Sequence, residues 1–215
     1  MHDTNCIICG SKTKTVYDPQ IIVDYDVCEG CGFIYKQKKH HLPHVEEEKR
    51  YLRHDNSFEN KAYVNMFRDM IEEFIEYLYI KRKVLDFGSG PTPVLKKLLT
   101  DMNYDVHDYD IFYNPNEDYK NNKYQLIVST EVVEHFSDPM KEFSHLVDLL
   151  EDGGYLLVST YFRKMNDEQF LVWWYRRDIT HVSFYNMKTF EYLAKAHNLE
   201  IVKHNNKNTI LFRKK

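Results

Sequence analysis

The stretch Val84-Leu85-Asp86-Phe87-Gly88-Ser89-Gly90 predicts the fold of this chain. An apolar run ends in an acidic residue and a Gly-x-Gly turn, and a segment compatible with a helix follows. This order is typical of a first β-strand that leads into a first helix around a nucleotide-like ligand. Glycines in such a turn let the backbone approach a ligand closely, because no Cβ stands in the way.

A second acidic residue, Asp110, follows Gly90 by twenty residues and ends the next predicted strand. A carboxylate at that position can accept hydrogen bonds from a ribose diol. Thr92 and Pro93 follow the turn, so the third glycine of a dinucleotide fingerprint is missing and a pyrophosphate is disfavoured. We therefore expect a nucleoside with an uncharged or zwitterionic tail, and S-adenosylmethionine fits this description.

Two later segments complete the pattern, Tyr-Gln-Leu-Ile-Val-Ser-Thr-Glu-Val-Val-Glu-His at 124–135 and Leu-Leu-Glu-Asp-Gly-Gly-Tyr-Leu-Leu-Val-Ser-Thr at 149–160. Together with the glycine turn and Asp110, they resemble the class I S-adenosylmethionine-dependent methyltransferases. The resemblance implies an α/β fold, with a doubly wound, mainly parallel, Rossmann-like sheet, in a domain of residues 61–215. It also implies a set of cofactor-binding residues, namely Asp86, Gly88, Gly90, Asp110 and Thr130.

Strands and helices alternate along this domain, which predicts a mainly parallel sheet, with an antiparallel hairpin at its end. Between Asp110 and Tyr124 the chain is too short for a full strand-helix-strand unit, so we expect an abbreviated connection. The predicted strands are 84–87, 105–109, 124–129, 154–160, 200–204 and 208–213, and the predicted helices are 61–80, 93–101, 138–150 and 186–197.

The charge and hydropathy of the 215-residue chain disfavour two classes of partner. A formal net charge of −4 and a pI near 6.3 argue against an overall basic surface for nucleic acid, although a local patch stays open. No apolar run approaches the ~18 residues of a membrane span. The first residues lack the basic start and apolar core of a signal peptide. We therefore expect a cytoplasmic protein without membrane association.

All four cysteines lie near the N terminus as two Cys-x2-Cys pairs, Cys6/Cys9 and Cys28/Cys31, with eighteen residues between the pairs. This spacing is typical of a zinc ribbon, in which four sulfur atoms converge on one tetrahedral ion. Two disulfides are the alternative, which a cytosolic setting disfavours. Since the protein supplies all four ligands, we expect a structural Zn²⁺ in a ribbon module of residues 1–38.

Residues 39–60 are polar and charged, and we interpret them as a solvated linker that also lids the active site. In class I methyltransferases the segment before the first strand commonly covers the active site. The candidates here for contact with the substrate are Tyr51, Arg53, His54 and Asn56.

The cluster Glu131-Val132-Val133-Glu134-His135 follows strand 124–129, at the end of the sheet where open α/β folds bind ligands. Two carboxylates and an imidazole beside the cofactor crevice can have their pKa values tuned by their surroundings. We expect Glu131, Glu134 and His135 to be catalytic, with His135 or Glu134 as a general base. The alternative is structural, with Glu131 as a polar strand end and His135 as a helix cap.

A metal-dependent version of the same site is also open. Glu-x-x-Glu-His, completed by His181, resembles the metal-binding set of the terminal-ribose methyltransferases of small RNAs, and O-methyltransferases of the ubiquinone pathway carry a similar cluster. The resemblance implies a divalent metal at Glu131, Glu134, His135 and His181, which would orient acceptor oxygens and lower their pKa.

The segment Trp173–Phe184 should overhang the same crevice, because it follows strand 154–160. Arg176 and Arg177 beside aromatic residues indicate recognition of a planar or anionic acceptor, such as a phosphorylated or nucleotide-linked one. A four-cysteine module joined to a Glu-His methyltransferase core resembles the nucleotide-sugar C-methyltransferases, which are longer than this chain.

We therefore predict an S-adenosylmethionine-dependent methyltransferase that acts on an oxygen or a carbon of a small-molecule acceptor. One alternative is an RNA methyltransferase in which the ribbon grips nucleic acid. Another is a non-catalytic scaffold that senses S-adenosylmethionine.

Overall fold

A computed structural model describes residues 5–52, 56–78, 83–163 and 166–215, without the side chains of Ile75 and Leu78. The strands in these residues are β1 (Thr13–Asp18), β2 (Val23–Cys28), β3 (Ile34–Lys36), β4 (Lys83–Phe87), β5 (Asp105–Tyr109), β6 (Tyr124–Thr130), β7 (Leu150–Ser159), β8 (Ser183–Phe184), β9 (Leu199–His204) and β10 (Thr209–Lys214). The α-helices are α1 (His44–Tyr51), α2 (Lys61–Leu78), α3 (Val94–Asp101), α4 (Pro139–Leu149), α5 (Asp167–Val172) and α6 (Met187–Ala196). Short 3-10 helices cover Lys38–His40, Glu117–Asn121, Val133–His135 and Trp174–Arg177.

Six strands form the main sheet in the order β5-β4-β6-β7-β10-β9. The first four are parallel to one another, and β10 is antiparallel to both of its neighbours. This topology confirms the predicted Rossmann-like sheet with its antiparallel end. The abbreviated connection is also confirmed, since residues between Asp110 and Tyr124 hold only a bridge from Asp110 to Asn114 and a 3-10 helix.

The two faces of the sheet bury separate cores, because successive strand residues point to opposite sides. Leu85 and Ile127 join one core with residues of α4 and α6. Val84 and Leu126, one residue earlier in the same strands, join the other core with residues of α2 and α3. Helices therefore cover both faces, which confirms the doubly wound architecture.

The element boundaries follow local capping chemistry. Helix α4 begins at Pro139, because the Asp138 carboxylate accepts the backbone N–H of Lys141 at 3.2 Å. Strand β7 begins four residues earlier than predicted, since Leu150 already pairs with Tyr124 before an irregularity in the register. Gly153 and Gly154 lie in this irregular stretch, and a pair of glycines is typical of a turn, so the sequence pattern did not indicate a strand before residue 154.

The ribbon forms a second sheet with the order β1-β2-β3-β8. Its fourth strand comes from the C-terminal half of the chain, since Ile34 pairs with Phe184 and Tyr35 with Ser183. Phe33 of the ribbon is buried in the same core as Phe190 of α6. The ribbon is thus built into the methyltransferase domain, and the predicted boundary at residue 38 stays a prediction.

Two segments contain helices that the sequence pattern did not predict. Helix α1 lies inside the predicted linker of residues 39–60 and buries none of its side chains, so it carries no apolar stripe to recognise. Helix α5 is short and begins with a capping box between Asn166 and Gln169. Among the described residues, no helix is long and apolar enough to cross a membrane.

Candidate active site

A cavity of about 1000 Å³ opens at the carboxyl ends of β4, β5 and β6. Gly88, Gly90 and Asp110 line it beside Thr130, whose hydroxyl lies 3.8 Å from Sδ of Met70. Helix α1 and the 3-10 helix Trp174–Arg177 contribute further lining residues. The cavity therefore lies where open α/β sheets bind ligands, and four of the predicted cofactor residues border it.

The glycine turn presents bare backbone to this cavity. Gly88 and Gly90 have φ angles of 85° and 69°, a region in which glycine is favoured. A Cβ on Gly88 would lie 2.2 Å from Cγ2 of Val132, whereas a Cβ on Gly90 would meet no atom within 4 Å. The N–H of Gly88 donates to the Tyr109 carbonyl at 2.7 Å, which ties the turn to β5. Open space at Gly90 fits a ligand laid against the turn.

Asp110 both shapes the turn and faces the cavity. Its Oδ2 accepts the N–H of Gly90 at 2.9 Å, and its Oδ1 accepts the N–H groups of Phe112 and Tyr113 at 2.9 and 3.1 Å. A carboxylate oxygen has two lone pairs, so Oδ2 keeps one for a ligand hydroxyl. The position fits the predicted ribose contact.

Asp86 supports the turn from below and does not reach the cavity wall. It is 3% exposed, and its Oδ2 has no hydrogen-bond partner among the described residues. Burial, with repulsion from Asp108, raises the pKa of Asp86 to about 7. Asp86 is thus placed to support the turn, and its predicted part in cofactor binding stays a prediction.

Tyr175 joins the two glutamates at the other side of the cavity. Its hydroxyl donates to Oε1 of Glu134 at 2.5 Å and lies 3.0 Å from both Oε2 of Glu131 and Oγ1 of Thr160. Burial and the Glu134 carboxylate raise the pKa of Glu131 well above its usual range. Glu131 therefore favours its protonated form, as a buried carboxyl group beside a second carboxylate does.

Glu131 lies on the cavity wall, whereas Glu134 is fully buried behind it. The backbone of Glu131 has a φ of 54°, which is uncommon for a side chain of this kind and is held by its N–H bond to the Ser159 carbonyl at 2.8 Å. Glu134 is not among the residues that line the cavity, and its predicted role as a general base stays a prediction.

The two predicted histidines meet at the cavity. The rings of His135 and His181 have centroids 4.9 Å apart. Nδ1 of His135 lies 3.1 Å from the Thr180 carbonyl, and Nδ1 of His181 lies 2.8 Å from the Tyr175 carbonyl. Carbonyl oxygens only accept, so each Nδ1 carries a proton, and in a neutral ring Nε2 then keeps a lone pair. Burial lowers the pKa of His181 well below its usual range, which keeps its imidazole neutral.

Part of the predicted divalent-metal set also converges. One ligand atom from each of Glu134, His135 and His181 lies within 4.8 Å of the others. The hydrogen bonds from both Nδ1 atoms to backbone carbonyls resemble those that orient metal-binding histidines. Glu131 does not belong to this group.

The predicted substrate residues have different environments. Arg177 and Tyr51 line the cavity, and the Tyr51 ring lies 5.2 Å from that of His135. Arg176 is fully buried and pairs with Asp18 at 2.6 Å, so its predicted contact with substrate is wrong. Arg53 and His54 lie outside the described residues.

The four cysteines lie close enough to share one ion. Their sulfur atoms all lie within 4.8 Å of one another, with Cys6 and Cys31 at 3.7 Å and Cys9 and Cys28 at 3.4 Å. Tetrahedral zinc with Zn–S bonds of about 2.3 Å requires sulfur separations of about 3.8 Å. The N–H of Cys31 points at Sγ of Cys28 at 3.2 Å, as in a knuckle turn. The donor set fits zinc.

Sequence reasoning missed Tyr175 and Thr160 as site residues. Tyr175 is 2% exposed, and its aromatic neighbours made it look like core. The sequence shows that Tyr175 has a hydroxyl, but it does not show that this hydroxyl reaches Glu131 and Glu134, which lie more than forty residues earlier in the chain.

A family model described as "Methyltransferase domain" matches residues 51–204. No curated protein matches the sequence.

Solved structures with this fold include three methyltransferases. Magnesium protoporphyrin IX methyltransferase of Synechocystis PCC 6803 with bound S-adenosylhomocysteine is 13% identical over 80% of this chain and 94% of its own, with a TM-score of 0.55. The 1,6-didemethyltoxoflavin-N1-methyltransferase of Burkholderia thailandensis is 13% identical over 94% of this chain and 99% of its own, also with a TM-score of 0.55. A SAM-dependent methyltransferase of Archaeoglobus fulgidus is 14% identical over 70% of this chain and 94% of its own, with a TM-score of 0.52.

Proposed function

The chain belongs to the family of methyltransferase domains whose model matches residues 51–204, and from that premise we propose that it transfers a methyl group from S-adenosylmethionine to a small-molecule acceptor. One observation carries the proposal. The glycine turn with Asp110 and the imidazoles of His135 and His181 border the same cavity.

The cofactor side is assigned to the turn and to Asp110. The open space beside the backbone of Gly90 accommodates part of the cofactor. The second lone pair on Oδ2 of Asp110 accepts a hydrogen bond from a ribose hydroxyl. Two of the fold neighbours are structures with bound S-adenosylhomocysteine, which supports this choice of cofactor. When bound, S-adenosylmethionine supplies a methyl group on a positively charged sulfur.

The acceptor side is assigned to the histidine pair. His181 is neutral, so its Nε2 can take the proton of an O–H, N–H or carbon acid as the acceptor atom bonds to the methyl carbon. The bond electrons of the broken sulfur–carbon bond stay on sulfur. Glu131, Glu134 and Tyr175 stabilise the position of this wall through the hydrogen bonds of the Tyr175 hydroxyl, and the cavity would hold the two reactants close together.

The acceptor is a small molecule with a planar portion. The cavity wall contains the rings of Tyr51, Phe112 and Trp174, which can stack on such a molecule. Arg177 lines the same cavity and can pair with an anionic substituent. Two fold neighbours are named for small-molecule acceptors, which supports the class.

A divalent cation at Glu134, His135 and His181 is the second candidate for acceptor activation. The convergence of one carboxylate and two oriented imidazoles favours it. The cation would act as a Lewis acid on an acceptor oxygen.

The test is release of S-adenosylhomocysteine in the presence of a panel of phenols, N-heterocycles and carbon acids, with and without added Mn²⁺. With a positive acceptor, His181→Ala is expected to lower turnover by about 100-fold and to leave the S-adenosylmethionine Kd near that of the wild type. His107→Ala, on the edge strand β5 and outside the cavity lining, is the control.

Three outcomes are informative. Stimulation by Mn²⁺ that disappears in His181→Ala would favour the cation, and turnover unaffected by chelators would favour the base. Cofactor binding without turnover on any member of the panel would contradict a small-molecule acceptor.

A further inference from the structure

The loop that carries the histidine-orienting carbonyls is itself attached to the zinc ribbon. The carbonyls of Tyr175 and Thr180 fix the Nδ1 protons of His181 and His135. Both carbonyls belong to the segment 174–182, which has little regular structure of its own beyond one 3-10 helix. A short irregular segment holds a fixed geometry only when surrounding groups determine it.

The first attachment is a buried ion pair between the segment and the end of β1. Nη1 of Arg176 lies 2.6 Å from Oδ2 of Asp18, and the two side chains are 0% and 1% exposed. Nη2 of Arg176 also donates to Oε1 of Gln20 at 2.6 Å, and its Nε donates to the Leu171 carbonyl at 2.7 Å. These bonds fix the peptide that directly follows the Tyr175 carbonyl.

The second attachment comes from β3 of the ribbon. Nζ of Lys36, a residue 1% exposed, donates to the Ile179 carbonyl at 2.7 Å. The backbone N–H of the same lysine donates to the Val182 carbonyl at 2.8 Å. The carbonyl of Thr180 lies between these two anchored positions, so the ribbon is attached to the segment on both sides of the carbonyl that orients His135.

We propose that Asp18, Arg176 and Lys36 are positioning residues through which the ribbon sets the orientation of His135 and His181. This inference rests on the proposed role of the two histidines. A buried ion pair contributes little net stability compared with apolar residues of the same size. The hydrogen bonds from Arg176 to Gln20 and to the Leu171 carbonyl are directional, however, and they select one geometry of the segment.

The attachments reach the acceptor side of the cavity and not the cofactor side. The Val182 N–H donates to the Glu134 carbonyl at 2.8 Å, and Tyr175 from the same segment contacts both glutamates. The glycine turn is instead fixed by Tyr109 and Asp110. Loosening the ribbon attachment should therefore disturb the histidines while leaving cofactor affinity intact.

The test uses Asp18→Asn in the full chain, with ¹⁵N-labelled histidine. In the wild type, His181 should give separate signals for a protonated Nδ1 and an unprotonated Nε2, assigned by their loss in His181→Gln. In Asp18→Asn the two signals are expected to move together, because the ring then samples both tautomers. Arg176→Lys keeps the positive charge but loses the two separate nitrogen atoms that reach Asp18 and Gln20. Its His181 signals should therefore be intermediate between those of the wild type and those of Asp18→Asn.

The control is Lys14→Met, which removes the exposed ion pair from Lys14 of β1 to Asp167 of α5 and touches no histidine-orienting carbonyl. It should leave the His181 signals unchanged. The S-adenosylmethionine Kd of Asp18→Asn, by calorimetry, should stay within about threefold of the wild type.

Unchanged His181 signals in a folded Asp18→Asn protein would overturn the proposal. A Kd for S-adenosylmethionine that rises well beyond threefold, together with the change in the His181 signals, would also overturn it. If Asp18→Asn does not fold, Gln20→Ala removes one bond to Arg176 without uncovering a charge, and the same two readings apply. Neither measurement needs an acceptor, so an error in the proposed acceptor class would leave the result intact.

Discussion

Two aspartates near the glycine turn have the same side chain but different surroundings, and therefore different roles. Asp110 faces the cavity and accepts three backbone N–H bonds, whereas Asp86 lies beneath the turn with one oxygen unpaired among the described residues. The sequence places both at strand ends, so their difference follows from tertiary surroundings.

Replacing Asp110 with asparagine tests the ribose contact. An asparagine has the same size and keeps one acceptor oxygen. That single oxygen cannot accept both the backbone N–H groups of Phe112 and Tyr113 and the hydroxyl of a ribose. We expect the S-adenosylmethionine Kd to rise by about tenfold or more, the effect of losing one hydrogen bond to a charged group. Calorimetric titration measures it, with exposed Asp118→Asn as the control, and an unchanged Kd would remove Asp110 from the cofactor site.

Replacing Asp86 with asparagine tests its raised pKa. Because the folded-state pKa is about 7 and the usual value is 3.8, the unfolded chain releases this proton first, and stability falls as pH rises from about 4 to about 7. Asp86→Asn should therefore raise the free energy of unfolding at pH 8 by a few kcal/mol, at about 1.4 kcal/mol per pKa unit, and less at pH 5.

Urea titrations at the two pH values measure this difference. Asp101→Asn on the exposed side of α3 is the control for loss of a carboxylate. An equal effect of Asp86→Asn at pH 5 and pH 8 would show that Asp86 titrates normally.

At the scale of elements, the two glycines of the turn are expected to respond differently to alanine. Both substitutions place a side chain at positive φ, which costs about 1 kcal/mol. Gly88→Ala also displaces Val132, whereas the new methyl of Gly90→Ala points into open space. We expect Gly88→Ala to lower thermal stability more, and Gly90→Ala to weaken S-adenosylmethionine binding with the smaller loss of stability. A larger loss of thermal stability in Gly90→Ala than in Gly88→Ala, with cofactor binding weakened only in Gly88→Ala, would contradict the geometry of the turn.

The sequence predicts those elements that carry a strong period or a cap. The strands around the glycine turn and helices α3, α4 and α6 are confirmed within a few residues. Helix α1, strand β8 and the role of Tyr175 could not be predicted, since α1 buries no side chain, β8 is two residues long and the partners of the Tyr175 hydroxyl lie more than forty residues earlier in the chain. Arg176 was misread because an arginine beside aromatic residues fits a binding surface as well as a buried pair.

At the scale of the whole molecule, the ribbon and the methyltransferase domain share one core. Cys6, Cys31 and Phe33 are buried together with Tyr185 and Phe190. A metal in the ribbon would thus stabilise the whole chain, since metal binding to a folded site is folding free energy.

Cys28→Ser is expected to abolish binding of one Zn²⁺ per chain and to lower the melting temperature of the whole protein in a single transition. Elemental analysis and calorimetric melting measure the two effects, with Ser11→Ala near the same sulfurs as a control that keeps the four thiolates. Equal zinc in mutant and wild type would rule out the four-cysteine site. A separate early transition would show that the ribbon folds apart from the domain.

The most direct test of the central claim is calorimetric titration of S-adenosylmethionine into the purified wild-type protein. We expect one site per chain, with affinity in the micromolar range and competition by S-adenosylhomocysteine. Absence of binding in a folded, zinc-loaded protein would contradict the assignment of the cavity at Gly88, Gly90 and Asp110 as a cofactor site.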